Sequence, residues 1–285
     1  MIGVIIMKEV ITETLIDSLK LLPFLFITFL IIELFEHRLS KKSKKVITKS
    51  GKFGPIIGSF LGIIPQCGFS VAATNLYVTR IISLGTLVAV YLSTSDEMIP
   101  ILIAEQAPLN LFIKIILPKF IIGLIFGYII DLILRKKQIK EDYSICKDDH
   151  CNCDKTILSG ALKHTINIFI FILICNFVIN LCLELGGMKY LETILLKDNI
   201  FAPVITSLIG LIPNCASSVV LTELFLKGAI SFASLIAGLL SGAGIAILVL
   251  FKTNKNKKEN FLILLTIYII GVLSGILLEL INLLI

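Results

Sequence analysis

Apolar residues run in long unbroken blocks along this 285-residue chain. A half-buried strand alternates polar and apolar positions and a surface helix shows one apolar stripe, so neither pattern fits. A helix that spans a bilayer needs about 20 apolar residues in a row. Six blocks meet that length: Leu15–Glu36, Ile81–Ala104, Leu109–Leu134, Ile157–Leu185, Ala229–Phe251 and Phe261–Ile285. Two further apolar pieces, Gly54–Thr79 and Phe201–Lys227, each carry a proline near the middle, flanked by glycine and polar side chains. They predict broken or re-entrant segments. The pattern as a whole predicts an all-α integral membrane protein.

Composition agrees with the pattern. The chain is 56% apolar and 16% charged, with a mean hydropathy of +0.99. A soluble domain has roughly 25% charged residues and cannot cover its surface with fewer. A nucleic-acid-binding domain, a disulfide-stapled secreted module and a disordered chain are all excluded. The net charge of +6 describes topology, because 17 of the 26 lysines and arginines lie in three stretches: His37–Lys52, Arg135–Lys155 and Lys252–Lys258. Short basic loops stay in the cytoplasm, which places all three inside and both termini outside. The first apolar run is followed by no small-residue cleavage site, so no signal peptide is expected, and Met7 is as good a start as Met1.

The chain repeats itself. A shift of 148 residues aligns Gly62-Ile-Ile-Pro65-Gln66-Cys67 with Gly210-Leu-Ile-Pro213-Asn214-Cys215, and gives 17 identities over the 39 positions Pro55–Ser93. The register continues, with Gly123, Gly127 and Asp131 falling on Gly271, Gly275 and Glu279. The charges do not repeat. The seven basic residues of His37–Lys52 face only Lys189 and Lys197 in the second half, while the charge-poor turn Glu105–Asn110 faces the basic Lys252–Lys258. Equivalent loops therefore lie on opposite sides, which is an inverted-topology repeat. The predicted organisation is a first membrane repeat over 1–134, a cytosolic linker over 135–157 and a second repeat over 158–285. Each repeat has three spanning helices and one broken or re-entrant hairpin, about ten membrane helices in all. Parity makes Gly54–Thr79 start and end inside and Phe201–Lys227 start and end outside, each as two crossings or as a re-entrant hairpin; as opposed re-entrant hairpins, their tips would meet near the midplane. Non-helical backbone is tolerated at that depth only where it is buried in protein or lines a wet cavity.

Those tips are the first candidate site. Gln66 and Asn214 bring amides, Cys67 and Cys215 bring sulfur, and Pro65 and Pro213 free nearby carbonyls. The alternative is a kink in which the amides only cap helix ends. The second candidate is Ser93-Thr94-Ser95-Asp96-Glu97, which interrupts an otherwise apolar span and has Ser241-Gly242-Ala243-Gly244-Ile245 as its counterpart. Carboxylates at that depth are costly and mark ion pathways. A helix that ended near Ser93 would instead leave the acids at the outer surface. Lys119, whose counterpart is Ile267, lies ten residues into its span and is the expected charge partner of Asp96 and Glu97, or else a lysine snorkelling to the interface. Ser70 and Ser218 complete the ion-binding set with Ser93 and Ser95. Asn75, Ser217 and Glu223 are weaker members, and serines can serve only their own helix backbone.

A separate cluster lies in the linker. Cys146, His150, Cys151 and Cys153 crowd together with three aspartates. Thiolate and imidazole suit zinc or another soft metal, but the spacing is not that of a zinc finger. A labile metal-handling loop and a plain linker both fit. Cys175 and Cys182, in an apolar helix, read as packing residues.

Gly62-Ile-Ile-Pro-Gln-Cys-Gly-Phe-Ser70 together with Leu92-Ser-Thr-Ser-Asp-Glu-Met98 resembles the ten-helix heavy-metal exporter family of bacterial permeases, whose members are labelled arsenic efflux proteins or manganese transporters. The resemblance extends over nearly the whole chain and implies heavy-metal export across the bacterial cytoplasmic membrane. Oxygen donors at Asp96, Glu97, Gln66 and Asn214 suit divalent manganese, which is the first substrate expected, with arsenite or an organoarsenical as the alternative. No cofactor is required beyond the transported ion. The partners expected are the lipid bilayer and the metal or metalloid substrate, with no nucleic acid and no ATPase subunit, since no Walker motif is present. A homo-oligomer is left open. An intramembrane lipid phosphatase is the competing class, but only Arg38, Arg80 and Arg135 exist to hold a phosphate. The expectation is a transporter and not an enzyme.

Overall fold

A computed structural model describes residues 53–64, 67–95, 98–134, 157–182 and 201–284, together with part of 11–30. Positions 11–30 are helical wherever they are described, and no strand occurs among the described residues. The helices are α1 (Gly54–Gly62), α2 (Cys67–Val78), α3 (Leu84–Ser93), α4 (Met98–Ala104), α5 (Leu109–Leu134), α6 (Ile157–Cys182), α7 (Ala202–Gly210), α8 (Ala216–Leu226), α9 (Phe232–Ser241), α10 (Ala246–Thr253) and α11 (Lys257–Leu284).

Local chemistry sets these boundaries in both halves. Pro55 and Pro203 sit in the first turns of α1 and α7, where a missing N–H costs nothing. Ser83 and Ser231 cap α3 and α9, accepting hydrogen bonds from the Thr86 and Ser234 amides. Each capping hydroxyl also donates to a carboxylate on a long helix: Ser83 to Asp131 Oδ2 at 2.7 Å, and Ser231 to Glu279 Oε2 at 2.8 Å. The residues aligned by sequence thus make equivalent bonds. The turn after α2 has Arg80 at φ 59°, and the matching turn after α8 has Gly228 at φ 73°. A left-handed residue is needed at both, and only the second is a glycine.

The helices of the two hairpins are short. With nine and twelve residues, α1 and α2 are about 14 and 18 Å long, and α7 and α8 are similar. Each is about half the ~30 Å hydrocarbon thickness. The span read as continuous over Ile81–Ala104 is two half-helices, α3 and α4, because Thr94 leaves the helix at ψ 127°. Its counterpart breaks after Ser241, where Gly242 is extended and Gly244 has φ 53°.

The core is built from these broken spans. All of α3 is buried, as is α9 beyond Phe232, and the two helices touch. Outside them, α5 packs on α3 and α11 packs on α9. The approach is close: a Cβ on Gly127 would lie 2.8 Å from that of Ala89, and one on Gly275 would lie 2.6 Å from that of Ala237. The outer faces of the long helices are apolar ribbons with a side chain every fourth position. Ile113, Leu117, Ile121, Ile125, Ile129 and Ile133 form one on α5; Phe261, Leu265, Ile269, Leu273, Leu277 and Ile281 form its counterpart on α11. Such ribbons suit lipid and not water.

Contacts between the halves are reciprocal. The first half's α2 packs on α10, and the second half's α8 packs on α4. Arg80, at the start of the α3–α4 span, forks onto Glu259, just beyond the end of the α9–α10 span, with N–O distances of 2.8 and 3.0 Å.

Candidate functional site

Cys67 opens α2 and Cys215 is the residue immediately before α8. They are repeat partners, and their sulfurs lie 2.8 Å apart. Both side chains are buried, 7% and 4% exposed. The contact joins the start of α2 to the residue before α8, so the two hairpins meet here.

The other polar groups of the tips are largely engaged with backbone. Ser70 donates to the Cys67 carbonyl at 2.9 Å, and Ser218 to the Cys215 carbonyl at 2.8 Å. Ser217 donates to the Asn214 carbonyl at 2.9 Å. Asn214 is 3% exposed, and its Oδ1 accepts from the Ala216 amide at 3.4 Å. Hydroxyls on a helix reach the carbonyl three or four residues back, which accounts for the serines. Sulfur is thus the donor type brought together most directly here.

The breaks in the two spans converge on the same region. Ser95 donates its amide to the Gly62 carbonyl at 3.2 Å, tying the first break to the first hairpin. Ser93 and Thr94 return their hydroxyls to the Ala89 and Val90 carbonyls. A cavity of about 10 Å³ is lined by Thr94 from the first break, Gly242 from the second, and Ser217, Ser218 and Leu221 from α8. That is room for about one water.

Lys119 is 1% exposed and donates through Nζ to the Thr94 carbonyl. It does not snorkel; it points at the break. Gln66, Asp96 and Glu97 lie outside the described residues, as does Pro65. The linker cluster of Cys146, His150, Cys151 and Cys153 lies outside them too, as do the side chains of Cys175 and Cys182. Ser93, Thr94, Ser95 and Met98 around the acids are all buried, so the α3 terminus is not at an outer surface.

The weaker pair of candidates separates. Asn75 is fully buried with neither amide atom hydrogen-bonded, whereas its counterpart Glu223 pairs with Lys227 on an exposed face. Sequence reasoning passed over Gly242 and the second break. The signal was the Gly242-Ala-Gly244 step inside an apolar run. Among the described residues, no three His, Cys, Asp or Glu side chains gather into a ready metal site.

Half-length hairpins, discontinuous spans and lipid-facing ribbons define a multi-pass membrane protein of the broken-helix kind. The profile of one family, described as "Putative, 10TM heavy-metal exporter", matches residues 7–191 and 182–283, and the chain belongs to that family. No curated protein and no solved structure matches the chain.

Proposed function

We propose that the protein is a secondary-active exporter of a thiophilic heavy-metal ion or trivalent arsenical, working in the bacterial cytoplasmic membrane through a midplane site between two inverted hairpins. One observation carries this reading: two buried, repeat-equivalent thiols 2.8 Å apart at the hairpin tips. Soft thiolates select soft ions. The depth supports it. From Cys67 to Tyr77 at the far end of α2 is ten residues, or about 15 Å, half the ~30 Å hydrocarbon core. The same spacing runs from Cys215 to Phe225.

The inversion is supported by the ion pair between the halves. Arg80 precedes one span and Glu259 follows its repeat partner, and the two touch. Spans that meet start to end run antiparallel. The basic Lys252–Lys258 stretch beside Glu259 supports a cytosolic position for that end, with both termini outside.

Divalent manganese is the second reading, and the burial of Lys119 beside Thr94 favours it. A buried ammonium calls for a buried anion, and Asp96 and Glu97 follow two and three residues after Thr94. Hard carboxylate oxygens suit manganese. In either reading those acids are the expected carriers of coupling protons.

Cellular elemental analysis under arsenite, zinc and manganese challenge separates the readings. Wild-type cells are expected to hold several-fold less arsenic or zinc than cells lacking the protein, and Cys67→Ser/Cys215→Ser to abolish the difference. Lowered manganese that survives the cysteine changes and disappears in Asp96→Asn/Glu97→Gln establishes the second reading. Unchanged contents of all three elements remove the transporter reading.

A further inference from the structure

Tyr77, Arg80 and Glu259 form a contact that the ion site does not use. The Arg80 guanidinium makes a two-pronged pair with Glu259 and lies 5.0 Å from the centre of the Tyr77 ring. The Tyr77 hydroxyl donates to the same Glu259 carboxylate. Tyr77 is buried, while the charged side chains are 31% and 18% exposed, so the cluster sits at the mouth of the protein and not in its interior. It crosses the interface between the halves: Tyr77 lies in the last turn of α2, Arg80 in the turn that follows, and Glu259 in the first turn of α11.

The cluster exists once. The shift of 148 residues turns Tyr77 into Phe225 and Arg80 into Gly228, and Glu259 stands where the first half has Leu111. The equivalent positions at the opposite end therefore carry no charge and no hydroxyl. The backbone there is the same, since Arg80 and Gly228 share the left-handed turn. An arginine in a conformation that favours glycine points to a role for its side chain.

From these observations we infer that Tyr77, Arg80 and Glu259 are the cytosolic gate of the permease, a latch that holds the two repeats together on the inner side. The inference rests on the transport reading. In an inverted-repeat carrier, closing one side opens the other, because the two repeats exchange conformations. A latch at one end only biases that exchange toward the state closed to the cytosol. Its position fits, since α2 links the latch to Cys67 at the tip and α2 packs on α10, which leads to Glu259. Release of the latch frees α2 from α11 on the inner side and exposes the thiol pair to the cytosol.

The test is sided alkylation of Cys67 and Cys215 in the full-length protein by a membrane-impermeant maleimide, read by peptide mass spectrometry. Inside-out and right-side-out vesicles are compared. Arg80→Gln and Glu259→Gln are each expected to speed labelling from the cytosolic side about two- to fivefold and to slow or leave unchanged labelling from outside; a partly exposed charge pair supports a bias of about that size. The exchanged pair Arg80→Glu/Glu259→Arg is expected to restore slow cytosolic labelling. General loosening would speed labelling from both sides and would overturn the gate. So would unchanged labelling in both single variants. Metal export is followed in the same vesicles: export by the wild type with unchanged labelling in the variants removes the gate and keeps the transporter, whereas no export by the wild type removes the transport reading and the gate with it.

Discussion

Cys67 and Cys215 are the residues on which sequence and structure meet most closely. Their recurrence 148 residues apart was readable, and the structure brings the two sulfurs to 2.8 Å. Ser70 and Ser218 recur just as well but are engaged with their own helix carbonyls, which a helical hydroxyl does by default. Lys119 needed the fold, because a lysine ten residues into a span either snorkels or is buried. Its replacement by methionine is expected to lower export and alter its pH dependence, measured by metal flux in vesicles at several pH values; an unchanged profile would separate Lys119 from the acids. Ser59 and Ser207 make a further symmetric pair, each fully buried with an unbonded hydroxyl. Ser59→Ala and Ser207→Ala are expected to raise stability by about 1 kcal/mol each, since an unsatisfied buried hydroxyl is removed. Melting in detergent checks this, and destabilisation by both would mean that the hydroxyls are partnered.

At the scale of elements, α3 and α9 depend on serine caps tied to carboxylates one long helix away. Ser83→Ala and Ser231→Ala are each expected to cost about 1 kcal/mol or slightly more, through loss of the cap and of the carboxylate's partner. Equal melting shifts for the two would reflect their equivalence. Gly127→Leu and Gly275→Leu are expected to fail more severely, by about 1–3 kcal/mol, because the facing alanines leave no room for even a Cβ. The long helices α5 and α11 were legible because nothing interrupts their apolar pattern. The breaks were less so. Ser93-Thr94-Ser95 announced the first by polarity, but Gly242-Ala243-Gly244 is itself apolar and hides the second within a run of hydrophobic residues. The ends of the hairpin helices were not legible, because a proline and glycines inside an apolar run mark a break but not where each helix starts and stops.

At the scale of the molecule, the helices of α1–α5 and α7–α11 begin and end within two residues of equivalent places, while the charge does not repeat. The shared frame explains why the thiols meet. The unshared charges, in the basic loops, in Asp96, Glu97 and Lys119, and in the Arg80–Glu259 pair, give an otherwise symmetric body an inside and an outside. The sidedness expected from the lysines rests on loop charge, which acts through the membrane and not through packing. Which side chains contact one another across the repeats was not, because the alignment says nothing of the angle between the halves. The central claim is that a metal or metalloid crosses at the thiol pair. Its most direct test is arsenite and zinc uptake into inside-out vesicles bearing the wild type or Cys67→Ser/Cys215→Ser at equal abundance. The account predicts uptake by the wild type that falls at least tenfold in the double variant. Equal uptake by the two would contradict it.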